Sequence, residues 1–165
     1  MKEINQDFFK RDTLIVARDL LGKILEIDGN KFRIIETEAY KQDKASHARK
    51  KTNRSKLMFE THGYVYVYLI YGMYYCLNFT SDIKPGAVLI RAIYPLNKKL
   101  FPASSFFGPG KLCKQLNITK LDNGKKIGER IKLFDDDFKP KINKSERIGI
   151  KDDKHLLWRF FYIIK

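Results

Sequence analysis

Cysteine is scarce: Cys76 and Cys113 are the only two in 165 residues. Two thiols cannot build a disulfide scaffold, a four-cysteine iron–sulfur cluster or, unaided, a structural zinc site. Both lie among apolar neighbours, which predicts buried free thiols. Long apolar runs are also missing. No stretch is apolar enough to span a bilayer, and the first residues, MKEINQDFFKRD, lack a signal-peptide core. The expectation is a soluble protein inside the cell, cytoplasmic or nucleoid-associated if bacterial, with no membrane partner. Acidic residues are in deficit, 19 against 33 lysines and arginines. The formal net charge of +14 points to a polyanion, nucleic acid first. Abundant Ile, Asn and Lys also fit a biased genome, so charge alone does not establish the partner. Internal repeats and domain linkers are absent, and the length suits one domain over 1–165 with a sizeable core.

What the chain does have is tyrosine, concentrated in residues 63–80, GYVYVYLIYGMYYCLNFT. Tyr64, Tyr66 and Tyr68 alternate with Val65, Val67 and Leu69, the period of a strand. A second strand follows over 74–80, and Tyr71-Gly72 between them predicts a hairpin turn. Val65, Val67 and Leu69 are expected to face the core. The tyrosines either fill a core or present a stacking surface.

Upstream, residues 5–21 predict a helix entry followed by an amphipathic helix capped by Asp12 or Thr13 and ended by Gly22. Residues 23–27 and 31–40 predict two strands joined by an Asp-Gly-Asn turn. On the second of these, Glu36, Glu38 and Tyr40 share one face, and Thr37 and Ala39 the other. Paired carboxylates can divide acid and base roles, although solvated glutamates on an exposed face are the commoner case. Spacing does not choose between Glu36 and Glu38. Residues 41–56, KQDKASHARKKTNRSK, read as a solvated basic loop able to contact phosphates, with His47 inside it.

A turn is expected over 81–86 and an apolar strand over 87–94, interrupted by Arg91. A buried arginine must be paired or face a ligand, and Glu36 or Glu38 is the expected partner. Residues 96–110 read as irregular. The GPGK at 108–111 lacks the spacing of a nucleotide loop, and Pro109 opens a short helix whose start could hold a backbone phosphate. Residues 117–144 are polar, with a strand at 131–134 and a solvated acidic run at 135–137. Further strands are expected at 147–150 and 158–164.

These pieces suit a nucleic-acid hydrolase or a nucleic-acid-binding module. Tyrosines among basic residues fit base stacking, and a carboxylate without a metal or cofactor motif fits hydrolysis by activated water. The segments DTLIVARDLLGKIL, IIETEAY, ASHARKKTNRSKLMF, YVYVYLIYGMYYCLNFTS, GAVLIRAIYPL, GPGKLCKQLNI and RIGI resemble, in order and over nearly the whole chain, the alkyladenine (3-methyladenine) DNA glycosylase family.

The resemblance implies an α+β fold: one domain with a mainly antiparallel curved sheet, a protruding β-hairpin and a few helices. It implies a monomeric, monofunctional enzyme without cofactor or metal. Its partner would be double-stranded DNA carrying 3-methyladenine, 7-methylguanine or hypoxanthine, and its product an abasic site. Glu38 would be the general base, and Arg91 would help it hold the attacking water. Tyr40 would stack on one face of the flipped base, with His47 and Tyr68 on the other. Asn78 would sit at the pocket floor against the 2-amino group of guanine. Tyr71 would wedge into the duplex. The loop between Tyr40 and His47, the segment after Pro95 and the C-terminal tail are shorter than the family pattern leads one to expect. The alternative is a catalytically silent nucleic-acid-binding module, which would have no need of Glu38 with Arg91.

Overall fold

A computed structural model describes residues 1–82 and 84–164. Strand β1 is Lys2–Glu3. A 3-10 turn, Gln6–Phe9, is the expected helix entry, and it leads to α1, Thr13–Asp19. Asp12 caps α1 by accepting from the Leu14 N–H at 2.8 Å. Strands β2, Ile24–Ile27, and β3, Asn30–Tyr40, form the expected hairpin. Its turn has Asp28 and Gly29 both at positive φ, the backbone that Asp-Gly pairs adopt readily.

The expected loop at 41–56 is instead a packed segment. It holds a 3-10 turn, His47–Arg49, and runs into α2, Lys56–Glu60. Asp43, Ser46, Ala48 and Ser55 are buried. Asp43 organises its start by accepting from the Lys41 and Ala45 N–H groups. Strands β4, Val65–Ile70, and β5, Tyr74–Ser81, form the tyrosine hairpin, and β6 is Gly86–Pro95. Of the turn expected over 81–86, residue 83 lies outside the described residues.

Beyond β6 lie a 3-10 turn, Ala103–Phe106, and α3, Pro109–Gln115. Phe106 is buried, so the stretch 96–110 is less irregular than expected. A further 3-10 turn, Lys120–Asp122, precedes β7, Ile131–Asp135, which is followed by β8, Asn143–Ser145, and β9, Arg159–Phe161. The acidic run after β7 is tethered rather than free: Asp135 pairs with Lys23 and Asp136 with Arg33. Residues 147–150 are not a strand but carry a turn. The Ile148 N–H there bonds a carboxylate instead of a neighbouring strand.

Among the described residues nine strands form one antiparallel sheet, in the order β1-β7-β2-β3-β6-β5-β4. β9 pairs with β3 beyond the point where β2 ends, and β8 pairs with β9. With three helices in chain order among the strands, this is the α+β architecture expected.

One face of the sheet holds the main core. Val16 and Ala17 of α1 with its C-cap Leu20, and Leu112 and Cys113 of α3 with its C-cap Leu116, pack there with Val65, Val67, Leu77, Phe79, Val88 and Ile90. Thr37 anchors α1 by donating its hydroxyl to the Ala17 carbonyl at 2.8 Å. Both cysteines are buried and free. Leu69 departs from expectation at 40% exposure, because β4 runs past the edge of the core toward the hairpin tip. The opposite face is covered by a smaller cluster of Ala48, Met58, Tyr66 and Ala87, with Tyr40 and Tyr68 against it. Among the described residues no helix is long and apolar enough to cross a membrane.

Candidate active site

Register builds the site. Glu38 stands opposite Leu89, Leu89 opposite Asn78, and Asn78 opposite Tyr66, in a row across β3, β6, β5 and β4. Residues directly opposite in an antiparallel pair point to the same face. The row therefore brings a carboxylate, an amide and a phenol to the face covered by the 41–56 segment. The next row on that face holds Tyr40 and Ala87.

A double irregularity aims the arginine. Pairing of β3 with β6 passes over Ile35 on one strand and Arg91 on the other. Bulges of this kind re-aim side chains next to functional sites. Arg91 Nε donates to Glu36 Oε1 at 3.0 Å, and its Nη1 stands 3.5 Å from Glu38 Oε2. Both partners expected for Arg91 are thus engaged. Arg159 Nε donates to the same Glu36 oxygen at 2.7 Å and holds that carboxylate from the β9 side.

The two glutamates differ sharply in environment. The Glu38 side chain is 0% exposed and that of Glu36 is 19% exposed. Glu38 Oε2 accepts from the Tyr40 hydroxyl at 2.8 Å, and Oε1 accepts from the Ile148 N–H at 2.6 Å. Burial raises the Glu38 pKa above the ordinary carboxylate range, and the opposing pulls of Arg91, the Ile148 N–H and the Tyr40 hydroxyl do not cancel it. The Tyr40 phenol is pushed far up, chiefly by burial and then by the Glu38 charge, so it remains a donor.

Beside this pair is a small pocket of about 30 Å³, lined by Tyr40, Ala45, His47, Met58, Tyr66, Tyr68, Asn78 and Ala87. The volume suits a water or two. The His47 and Tyr68 rings meet edge to face, with centroids 4.6 Å apart. His47 Nδ1 lies 3.0 Å from the Tyr66 hydroxyl. Burial, then the nearby Arg54, lowers the His47 pKa and favours neutral imidazole. Burial pushes the Tyr66 phenol up to about 12. Asn78 is buried, its amide nitrogen donating to the Tyr66 and Cys76 carbonyls at 3.2 and 3.3 Å. Wider depressions of about 540 and 570 Å³ lie elsewhere, but neither is lined by these residues.

The structure thus gathers Tyr40, His47, Tyr68 and Asn78 around one pocket, with Glu38 bonded to the Tyr40 wall and Arg91 paired to Glu38. Tyr71 is apart from them, 83% exposed at the hairpin tip. Three contributors escaped the sequence reading. Tyr66 had the same period-two signal as Tyr68, but nothing local shows that its hydroxyl reaches His47. Ile148 and the buried Arg147 sit about 110 residues from their partners in β3, a separation no local pattern bridges.

The Methylpurine-DNA glycosylase family model matches residues 7–164. A relative from Clostridium novyi (strain NT), provisionally named a 3-methyladenine DNA glycosylase, is 41% identical, covering 98% of this chain and 95% of its own. That alignment spans 191 positions, more than this chain has residues, so the relative carries segments missing here. Relatives with the same provisional name from Sodalis glossinidius and from Wolbachia pipientis subsp. Culex pipiens are each 44% identical, covering 95% and 94% of this chain and 95% and 87% of their own. Matched over nearly its whole length, the chain belongs to the Methylpurine-DNA glycosylase family.

Proposed function

We propose that the chain is a monomeric, monofunctional DNA glycosylase of base excision repair. It flips alkylated or deaminated purines out of duplex DNA and hydrolyses the N-glycosidic bond. 3-Methyladenine, 7-methylguanine and hypoxanthine are its substrates, and an abasic site is its product. It would act in the cytoplasm, at the nucleoid of a bacterial cell. The observation that carries this reading is Glu38: a wholly buried carboxylate, held by Tyr40, Arg91 and the Ile148 N–H beside an aromatic pocket. A module that only binds DNA gains nothing from an ionisable group so withdrawn from water.

In this reading Glu38 is the general base, and Arg91 keeps it ionised and helps orient the attacking water. Water adds to the anomeric carbon from the face opposite the departing base, so the configuration inverts, by analogy with inverting glycosidases. Its proton passes to Glu38, and the bonding electrons leave with the purine. An alkylated purine is already cationic and departs neutral, whereas hypoxanthine, neutral in the duplex, takes up a proton as it departs. Tyr40 stacks on one face of the base and His47 with Tyr68 on the other, a cation over tyrosine gaining about 0.5–2 kcal/mol per contact. The small pocket requires these rings to part as the base arrives. The hydrogen bond between the Tyr66 hydroxyl and His47 Nδ1 holds the imidazole ring in place. Asn78, held by two carbonyls, is a fixed obstacle to the 2-amino group of guanine. Tyr71 fills the gap left in the duplex.

The test is abasic-site formation on duplexes carrying hypoxanthine or 7-methylguanine, without added metal. Cleavage at the lesion after alkaline work-up is the expected result. No release of any modified purine would sink the enzyme reading.

A further inference from the structure

We propose that Arg147 is a positioning residue that couples the base pocket to the water-activating carboxylate. This rests on the glycosylase reading above and assigns a role to a residue outside it. The Arg147 side chain is 0% exposed, and that of its partner Asp43 is 5% exposed. Nη2 lies 2.9 Å from Asp43 Oδ1, and Nη1 donates to Asp43 Oδ2 at 3.3 Å and to the Ala39 carbonyl at 3.1 Å. The guanidinium lies over two rings, 4.7 Å from the Tyr40 centroid and 5.0 Å from that of Trp158. Its Nε is buried without a hydrogen-bond partner.

Stability does not explain such a group. A buried ion pair loses about as much in desolvation as it gains in attraction, and an apolar replacement of both partners is often neutral. Position does explain it. Asp43 opens the segment that carries His47. Tyr40 has the guanidinium on one face, which leaves its other face for a base. Ile148, the next residue, donates to Glu38. One planar cation therefore ties together the two aromatic walls and the donor that orients the carboxylate. Asp43 also neutralises the cation behind Tyr40, so the ring still offers an electron-rich face to a positively charged purine.

The experiment measures single-turnover excision of hypoxanthine and 7-methylguanine across pH, with thermal melting alongside. Arg147→Met combined with Asp43→Asn removes both charges and leaves no lone charge buried. The groups facing Glu38 in this variant are unchanged: Arg91, Glu36, Tyr40, Tyr68 and Cys76. The variant is expected to melt within a few degrees of the unaltered protein. Its excision rate should fall roughly tenfold to a hundredfold, the scale of an ångström-sized misplacement. The acid limb of its profile should move to higher pH, because a displaced Ile148 N–H no longer favours the carboxylate. Should the double variant fail to fold, Arg147→Lys decides on the same two readings, since it keeps the charge but not the flat stack. A folded variant with unaltered rate, or with a slower rate and an unmoved acid limb, overturns the coupling. Absence of excision by the unaltered protein overturns instead the glycosylase reading beneath it.

Discussion

Glu38 and Glu36 sit two positions apart on one strand, yet only Glu38 is wholly withdrawn from water. That asymmetry sets distinct tasks. Glu36 receives two arginines, and Glu38 holds its charge against burial with a phenol, a backbone N–H and a more distant guanidinium. Glu38→Gln removes the proposed base and is expected to lower single-turnover excision by roughly 10²–10⁴-fold, the range of general acid–base catalysis. Lesion binding, measured by titration, should survive; retained turnover would move the base to Glu36. The sign of the linkage follows from the raised pKa. A carboxyl raised in the folded state contributes stability below its unfolded pKa and loses it as pH rises through the folded pKa. Ionised Glu38 is therefore a net cost at neutral pH. Glu38→Gln is expected to melt above the unaltered protein there, each kcal/mol being worth about 2–4 °C at this size. The difference should vanish toward acid. Excision by the unaltered protein should fall on the same acid side, with its limb above the ordinary carboxylate range.

The β4–β5 hairpin is an element with two chemistries. Its base is packed on both sides, Val65 and Val67 into the main core and Tyr66 and Tyr68 into the pocket cluster. Its tip is bare: Tyr71, Met73 and Tyr74 are 83%, 67% and 50% exposed. Tyr71 and Gly72 both have positive φ, in a turn closed by the Met73 N–H on the Ile70 carbonyl at 3.0 Å. Glycine takes that backbone freely and tyrosine does so at a cost of roughly 1–2 kcal/mol. An exposed aromatic held in a strained turn is what a wedge requires and what a fold by itself does not. Tyr71→Asn, which suits positive φ, should melt at or above the unaltered protein while weakening lesion capture. Binding to undamaged duplex should change less. Equal loss on damaged and undamaged DNA would mean that Tyr71 is not the wedge.

For the molecule as a whole, the charge of +14 far exceeds what the site itself uses. Phosphate contacts release counterions, so binding should fall steeply with salt. With about four phosphates engaged, raising salt from about 50 to about 200 mM should weaken binding to undamaged duplex by roughly a hundredfold. The single-turnover rate at saturating protein should barely move, because Glu38, Arg91 and the pocket rings are shielded from solvent ions. Comparable salt effects on binding and on the chemical step would place the chemistry on the open surface instead.

Much of this protein is legible locally. Alternation along β3 and β4, the Asp-Gly and Tyr-Gly turns, the Asp12 cap and Pro109 at the start of α3 are short-range matters of backbone preference and side-chain period. The sequence therefore determines the longer strands, most turns and the shared face of Glu36, Glu38 and Tyr40. The resemblance to the glycosylase family implies the role of Glu38, which spacing alone does not. Tertiary structure decided the rest, for a physical reason. Sequence period says which face a side chain takes, but not what is brought to that face from afar. The turn at 148–149, where apolar alternation suggests a strand, supplies the Glu38 donor because the Ile148 N–H is not used in a ladder. The apparent loop at 41–56 is ordered because Asp43 finds Arg147. Only register across four strands sets Glu38, Asn78 and Tyr66 in one row, and only the packing around them withdraws Glu38 from water while Glu36 stays partly exposed.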